Sequence, residues 1–376
     1  MGVDHRSHGG RTRELADLAG IPEKELLDFS ANLNPLGPPP WLPEAMAEGL
    51  ERIGAYPDPD SGSARVAAAA RFGLAPERFL FADGADPLIF ALPRALEVAS
   101  CIAPTPCYSG YARAAERARV PLARVSLDAE DGFSLASAAF RTGLESAIRD
   151  APGPTLLFLG APNNPAGGAM SIDAVFELAQ SAKNLYVALD ESFAELSGFG
   201  DRAIVEASNP GAGKIIVLRS LTKTWAVPGL RAGFASASPS LLSRLRAELS
   251  AWPLSSFGEA FACRAMRDRD YPRLSAGLVE AEARRLEIEL AQLNANRRKR
   301  LFRVHRSGAN YLLIEFFPST SLLEPAWRCA ASLLERGIAV RTFAPAEGLD
   351  GRFMRIAVRT RKENGIFLAA FGDSLS

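Results

Sequence analysis

Between Ile215 and Phe234 the sequence gathers residue types that can do chemistry together. The apolar run Ile215-Ile216-Val217-Leu218 leads into Arg219-Ser220-Leu221-Thr222-Lys223-Thr224-Trp225, and Arg231 stands eight residues after Lys223. A lysine at the mouth of a buried strand loses its charge by desolvation and becomes a nucleophilic amine that can form a Schiff base with a carbonyl. The hydroxyls of Ser220 and Thr222 and the guanidinium of Arg231 are group types that hold a phosphate. An aldehyde that carries a phosphate and is captured by a lysine is pyridoxal 5'-phosphate. A lone lysine after a core strand is ordinarily a surface residue, and it is the three neighbours that set Lys223 apart.

Other stretches supply partners for such a group. Asp190 follows the apolar run 185–189. A carboxylate there can pair with a protonated pyridine nitrogen and make the ring an electron sink, although Asp after a strand also serves as a helix cap. Gly84-Ala85-Asp86 separates a strand pattern from a helical one and can offer backbone N–H groups to a phosphate. Asn163-Asn164-Pro165 makes a turn after another apolar run. Arg355 lies within the strand pattern 353–359 and Arg341 at the end of the preceding one, and a guanidinium meets both oxygens of a carboxylate in one plane. His5 and His8 are spaced like metal ligands, but no third ligand is organised near them, so no metal site is expected.

The lysine segment resembles the signature of the fold-type I pyridoxal-phosphate enzymes, the aspartate aminotransferase superfamily. That resemblance implies Lys223 as the cofactor-bonding lysine, Asp190 at the ring nitrogen and Asn164 donating to the phenolic oxygen. It implies Gly84, Ala85, Asp86, Ser220, Thr222 and Arg231 around the phosphate, with Tyr108 stacked on the ring. Tyr56 matches a tyrosine that reaches the phosphate across a dimer interface, which implies a homodimer. Arg355 matches the arginine that grips the substrate α-carboxylate.

The arm His8-Gly9-Gly10 with Asp28-Phe29-Ser30-Ala31-Asn32-Leu33-Asn34-Pro35-Leu36-Gly37 is similar to that of the cobalamin-pathway threonine-phosphate decarboxylases, close relatives of the histidinol-phosphate aminotransferases. The pair Arg341 and Arg355, and Phe193 where many aminotransferases carry Tyr, point the same way. Ser192 in place of the common Ala, Ala166 in place of the usual Thr and Asp86-Pro87 depart from the pattern. The resemblance implies decarboxylation of L-threonine O-3-phosphate to (R)-1-aminopropan-2-yl phosphate, with His8, Asn32, Arg341 and Arg355 binding the substrate. Two alternatives remain. One is an aminotransferase acting on histidinol phosphate or a related phosphorylated amine with 2-oxoglutarate. The other is a non-catalytic cofactor-binding protein, against which the joint presence of Lys223, Asp190, Asn164 and Arg231 argues.

Positioning these residues requires strand ends. Apolar strand patterns at 79–82, 98–103, 123–127, 155–159, 185–189, 215–218 and 232–237 alternate with helical spacing, which predicts an α/β layer architecture with a mostly parallel sheet. In such sheets ligands collect at the carboxyl ends of the strands. The expected fold is the fold-type I transferase fold: an arm (1–40) packing on the small domain and active site, a large domain with a seven-stranded sheet (41–253), and a linker helix with a smaller α+β domain (254–376). Its elements are a long helical pattern after Pro253, strands at 311–316, 338–342 and 353–359, a helix at 323–336 and a closing helix capped by Thr360.

Composition bounds the partners. The 376 residues carry 43 Lys plus Arg and 43 Asp plus Glu, so no general field attracts nucleic acid or an anionic membrane, and a small-molecule partner is expected. The basic cluster Arg297-Arg298-Lys299-Arg300 has no interleaved aromatics and reads as a solvated helix end. Four cysteines without CxxC spacing indicate neither a disulfide framework nor zinc, and a reducing cytoplasm is expected. No apolar run reaches the length of a membrane span.

Overall fold

The computed structural model describes residues 9–198, 200–208, 212–295, 299–317 and 324–375. His5, His8, Arg297 and Arg298 lie outside the described residues. The arm forms the helix Thr12–Ala19, stopped by Gly20 in the left-handed region, and then a short strand β1 (Leu27–Asp28).

Seven strands follow: β2 (Phe79–Ala82), β3 (Ser100–Thr105), β4 (Leu122–Ser126), β5 (Thr155–Gly160), β6 (Leu185–Asp190), β7 (Ile215–Ser220) and β8 (Gly233–Ser236). They form one sheet in the order β2-β8-β7-β6-β5-β3-β4, parallel except that β8 runs against both β2 and β7. Each strand pattern read from the sequence falls on one of these, within two residues at every end.

Apart from the edge strand β4, which is largely exposed, the strands read as continuous apolar runs because both faces of the sheet are covered. Alternate residues go to opposite sides. Leu157, Leu159, Val187, Leu189, Ile215 and Val217 pack on one face with residues of the helices Gly62–Phe72, Ala138–Arg149 and Ser256–Arg267. Leu156, Phe158, Ala188, Ile216 and Leu218 pack on the other with the helices Ala85–Ala95, Ser109–Ala118 and Pro239–Ala247.

The long helical pattern after Pro253 resolves into two helices, Ser256–Arg267 and Asp270–Ala295. Asp268 makes the break: its Oδ1 accepts the backbone N–H groups of Asp270 and Tyr271, each at 3.0 Å, which caps the second helix. Val279, Ala283, Leu286 and Leu290 are buried along that second helix.

The remaining strands are β9 (Phe302–His305), β10 (Tyr311–Phe316), β11 (Ile338–Ala339), β12 (Arg341–Thr342) and β13 (Phe353–Ala357). Four of them form an antiparallel sheet in the order β12-β13-β10-β9. The single strand expected over 338–342 is instead divided at Val340. Ile338 and Ala339 pair in parallel with Leu27 and Asp28 of the arm, while Arg341 and Thr342 pair with β13. Local pattern cannot distinguish these, because the two halves differ only in which distant segment supplies their hydrogen bonds. The edge strand β9 was not anticipated, its middle residues Arg303 and Val304 being only half-buried. A separate core, including Phe29, Leu286, Phe302, Leu312, Ile314, Met354, Phe367 and Phe371, binds this sheet to the long helix and to the closing helix Arg361–Ser374, which Thr360 caps.

Candidate active site at the strand ends

The carboxyl ends of β2, β5, β6 and β7 and the start of β8 meet at one rim, where a cavity of about 420 Å³ opens toward the arm and the small sheet. Asn32, Ala85, Asp86, Tyr108, Asn164, Asp190, Ser220, Thr222, Lys223, Arg231, Arg341 and Arg355 all line it. Gly84 lies directly behind Arg231. Tyr56 does not join them: it is exposed and stacks on Trp252, with ring centroids 4.2 Å apart.

Lys223 sits on a one-turn helix, Leu221–Thr224, that follows β7 directly. The arm fastens this turn, since the Asn34 backbone N–H donates to the Lys223 carbonyl at 3.1 Å and its Nδ2 donates to the Thr224 carbonyl at 2.6 Å. Desolvation pushes the Lys223 amine below the usual lysine range; Arg355 and Arg231 act in the same direction, against Asp86 and Asp190. A lysine so placed gives up its proton more readily, and nucleophilic capture of an aldehyde requires the neutral amine.

Asp190 ends β6 and is held on both oxygens. Tyr111 Oη donates to Oδ2 at 2.8 Å, and Ser192 donates to Oδ1 through its backbone N–H at 3.0 Å and its Oγ at 2.5 Å. Burial raises the Asp190 pKa, and the donors from Ser192 and Tyr111 work against that rise. Behind it the buried pair Arg219–Glu191, at 2.7 Å, ties the end of β7 to the end of β6. Tyr111 was missed in the sequence because it lies three residues after Tyr108 on the same helix, and nothing local shows that its hydroxyl reaches a strand end. Tyr108 itself donates to Asp86 Oδ1 at 2.9 Å. Its ring lies across Gly110, where a Cβ would come within 2.2 Å of the ring, so only glycine fits beneath it.

At the phosphate-type corner, Ser220 Oγ and Thr222 Oγ1 are 2.8 Å apart. The Arg231 guanidinium passes over Gly84, whose φ is +96°; a Cβ at Gly84 would stand 2.7 Å from Arg231 Nη2. The free N–H groups of the helix Ala85–Ala95 begin at the same point, adding the positive end of a helix.

On the opposite wall, Arg341 and Arg355 are register partners across β12 and β13. Arg355 donates to Asn164 Oδ1 and, at 2.7 Å, to the Ser30 carbonyl. Burial, with Arg341 next in importance, lowers its pKa to about 10. Its Nε, and Oδ1 of buried Asn32, have no hydrogen-bond partner among the described residues. Arg341 donates to Glu347 Oε1 at 2.5 Å. Ser30 is fixed by Asp28, whose Oδ1 accepts its N–H at 2.8 Å and its Oγ–H at 2.6 Å. Gly9 packs so closely on Ser30 that a Cβ would lie 2.1 Å from the Ser30 carbonyl oxygen.

The sequence pattern of aminotransferase class I and II matches residues 24–371. The chain belongs to that family. Members are pyridoxal-phosphate-dependent enzymes, and so is this one. Among family relatives, the adenosylcobalamin biosynthesis bifunctional protein CobDQ of Leptospira interrogans is 31% identical over 366 residues. The match covers 97% of this chain and 41% of that protein, so the chain spans less than half of that relative's length. The threonine-phosphate decarboxylase of Salmonella typhimurium is 31% identical over 383 residues, covering 100% and 98% of the two chains. The histidinol-phosphate aminotransferase of Methanothermobacter thermautotrophicus is 30% identical over 371 residues, covering 97% and 93%. The structure of histidinol-phosphate aminotransferase from Sinorhizobium meliloti in complex with pyridoxal-5'-phosphate shares the fold with a TM-score of 0.81 at 20% identity, covering 97% of this chain and 95% of that one.

The cavity suits the family's cofactor. It has a lysine whose ammonium is disfavoured, a buried carboxylate held on both oxygens, and a glycine cradle under a guanidinium that a Cβ would close. Among the described residues no helix is long and apolar enough to cross a membrane. Nor does any group of three His, Cys, Asp or Glu side chains there suit a metal ion.

Proposed function

We propose that this chain decarboxylates L-threonine O-3-phosphate to (R)-1-aminopropan-2-yl phosphate in cobalamin biosynthesis. The observation that carries this reading is the arginine pair: Arg355 and Arg341 stand side by side on one cavity wall, two guanidinium groups for a ligand with two anionic ends. The Salmonella and Leptospira relatives support the same reading.

In this reading Lys223 bonds the cofactor, Asp190 faces the pyridine nitrogen, Tyr108 covers the ring and Asn164 donates to the phenolic oxygen. Gly84, Ala85, Asp86, Ser220, Thr222 and Arg231 take its phosphate. Bound there, pyridoxal phosphate supplies an electron sink for the pair left when carbon dioxide departs. Tyr111 and Ser192 favour the ionised form of Asp190 by donating to it, against the effect of burial. Arg355, braced by Asn164 and Ser30, binds the substrate carboxylate, while Arg341 and Asn32, with His8, hold the phosphate end. Two anchors fix the rotation about Cα and so choose which bond breaks. Lys223 returns a proton to Cα after the carboxylate leaves. Ser30, Ala31 and Asn32 of the arm line the same cavity.

The reading extends to a cytoplasmic homodimer in which Tyr56, exposed here, is lent by each chain to the other's site. It also takes residues 1–40 as the arm, 41–253 as the cofactor-binding domain and 254–376 as the small domain with its linker helix. The second reading, amino transfer from histidinol phosphate or a related phosphorylated amine, is favoured by the Methanothermobacter relative. The deciding experiment supplies the purified protein with pyridoxal phosphate and L-threonine O-3-phosphate and omits any 2-oxo acid. Carbon dioxide released one for one with aminopropanol phosphate is the expected result. No release, with amino transfer once 2-oxoglutarate and histidinol phosphate are added, would replace the first reading by the second.

A further inference from the structure

The two arginines on the substrate wall are engaged differently. Arg355 donates to neutral oxygens, those of Asn164 and Ser30, whereas Arg341 is paired with a carboxylate, Glu347. The side chains of Arg341 and Glu347 are only 6% and 16% exposed, so the pair is largely desolvated. Glu347 ends the turn Pro345–Glu347, and its Oε2 accepts the Ala344 backbone N–H at 3.0 Å while Oε1 takes Arg341. The next residue, Gly348, has φ +83° and abuts Thr105 and Pro106, where a Cβ would lie 2.5 Å from Thr105 Oγ1. The turn is thereby seated against the large sheet's loop while its carboxylate projects into the cavity.

We propose that Glu347 is an internal counter-anion: it occupies, on Arg341, the place of the substrate's phosphate, yields it on binding and reclaims it when the phosphorylated product leaves. This rests on the phosphorylated-substrate reading above. Burying a guanidinium is less costly with an anion beside it, and of the two arginines Arg341 is the one that the structure pairs with a carboxylate. Substrate and product both keep the phosphate, so the anion on Arg341 changes once when the substrate arrives and again when the product departs. A phosphate dianion, with more acceptor oxygens, displaces a carboxylate monoanion. The tethered carboxylate returns because its effective concentration is high. Since Oε2 stays with the Ala344 N–H, the exchange asks only for rotation within the Glu347 side chain.

The test uses the holoenzyme, its Glu347→Gln variant, which keeps a hydrogen-bonding side chain but removes the charge, and both in an Arg341→Gln background. Inorganic phosphate is titrated by calorimetry, and KM is measured for L-threonine O-3-phosphate and for unphosphorylated L-threonine. Glu347→Gln should tighten phosphate binding about tenfold and lower KM for the phosphorylated substrate alike, with KM for L-threonine unchanged. In the Arg341→Gln background the same change should have no effect on phosphate binding. Weaker or unaltered phosphate binding in Glu347→Gln, or equal tightening without Arg341, would overturn the proposal. Carbon dioxide release by the unaltered protein together with unaltered phosphate affinity in Glu347→Gln defeats this inference alone. Tightened phosphate affinity without carbon dioxide release defeats only the decarboxylase reading.

Discussion

On one side of the cavity, Gly84, Asp190, Ser220 and Lys223 leave the ends of neighbouring strands of a single sheet, so their spacing is set by strand separation and backbone hydrogen bonds. On the other side, Asn32, Arg341, Glu347 and Arg355 come from an arm, a divided strand, a turn and a sheet with its own core, joined by side-chain contacts across long stretches of sequence. The first wall is set by the backbone of one sheet. The second joins separate elements through polar side-chain contacts, and in the proposed reading it is the wall that meets the substrate.

The comparison can be tested from its firmest part to its weakest. Lys223→Ala should lower turnover by roughly 10³-fold or more and remove the visible absorbance of the covalently held cofactor; retention of both would mean that the strand-end wall is not where chemistry occurs. Arg355→Gln comes next, with KM expected to rise by on the order of 100-fold while the cofactor remains bound. It also has a consequence for the first wall. The Lys223 amine captures the cofactor when neutral, so in the apoenzyme the capture rate should rise with pH around a midpoint below the ordinary lysine value of about 10.4. Arg355 disfavours the Lys223 ammonium, so its removal should move that midpoint to higher pH, as read from stopped-flow capture rates. An unmoved midpoint would separate the two walls electrostatically. The smallest effect is expected for Asp28→Ala, which removes the acceptor that fixes Ser30. A loss of about 1–2 kcal/mol of arm attachment should raise KM several-fold and leave the cofactor absorbance intact; a lost cofactor band would show that the arm serves both walls.

The same contrast explains what the sequence disclosed. Apart from the largely exposed β4, the strands of the large sheet were legible because both faces of each are buried, which leaves unbroken apolar runs such as Leu156-Leu157-Phe158-Leu159. Residues at their ends were legible with them. The strand over 338–342 was read as one piece because its division depends on Leu27 and Asp28, far away in sequence. Tyr111, Ser30 and Glu347 were not picked out for the same reason: each acts through a partner supplied by a different element, Asp190, Arg355 and Arg341. Helix spacing explains why Tyr111 is buried; it says nothing about what its hydroxyl meets.

The hydrogen bond from Arg355 to the Ser30 carbonyl joins residues 325 positions apart. During synthesis the arm emerges early and must wait for its anchor, at about 5–20 residues per second, for tens of seconds. Through that interval the large sheet, with Lys223 and Asp190 at its strand ends, can assemble, while Ser30 and Arg355 cannot yet meet. The bond between the chain's early and late segments can therefore close only when nearly the whole chain has been made, so this stretch of the cavity wall is the last to be completed.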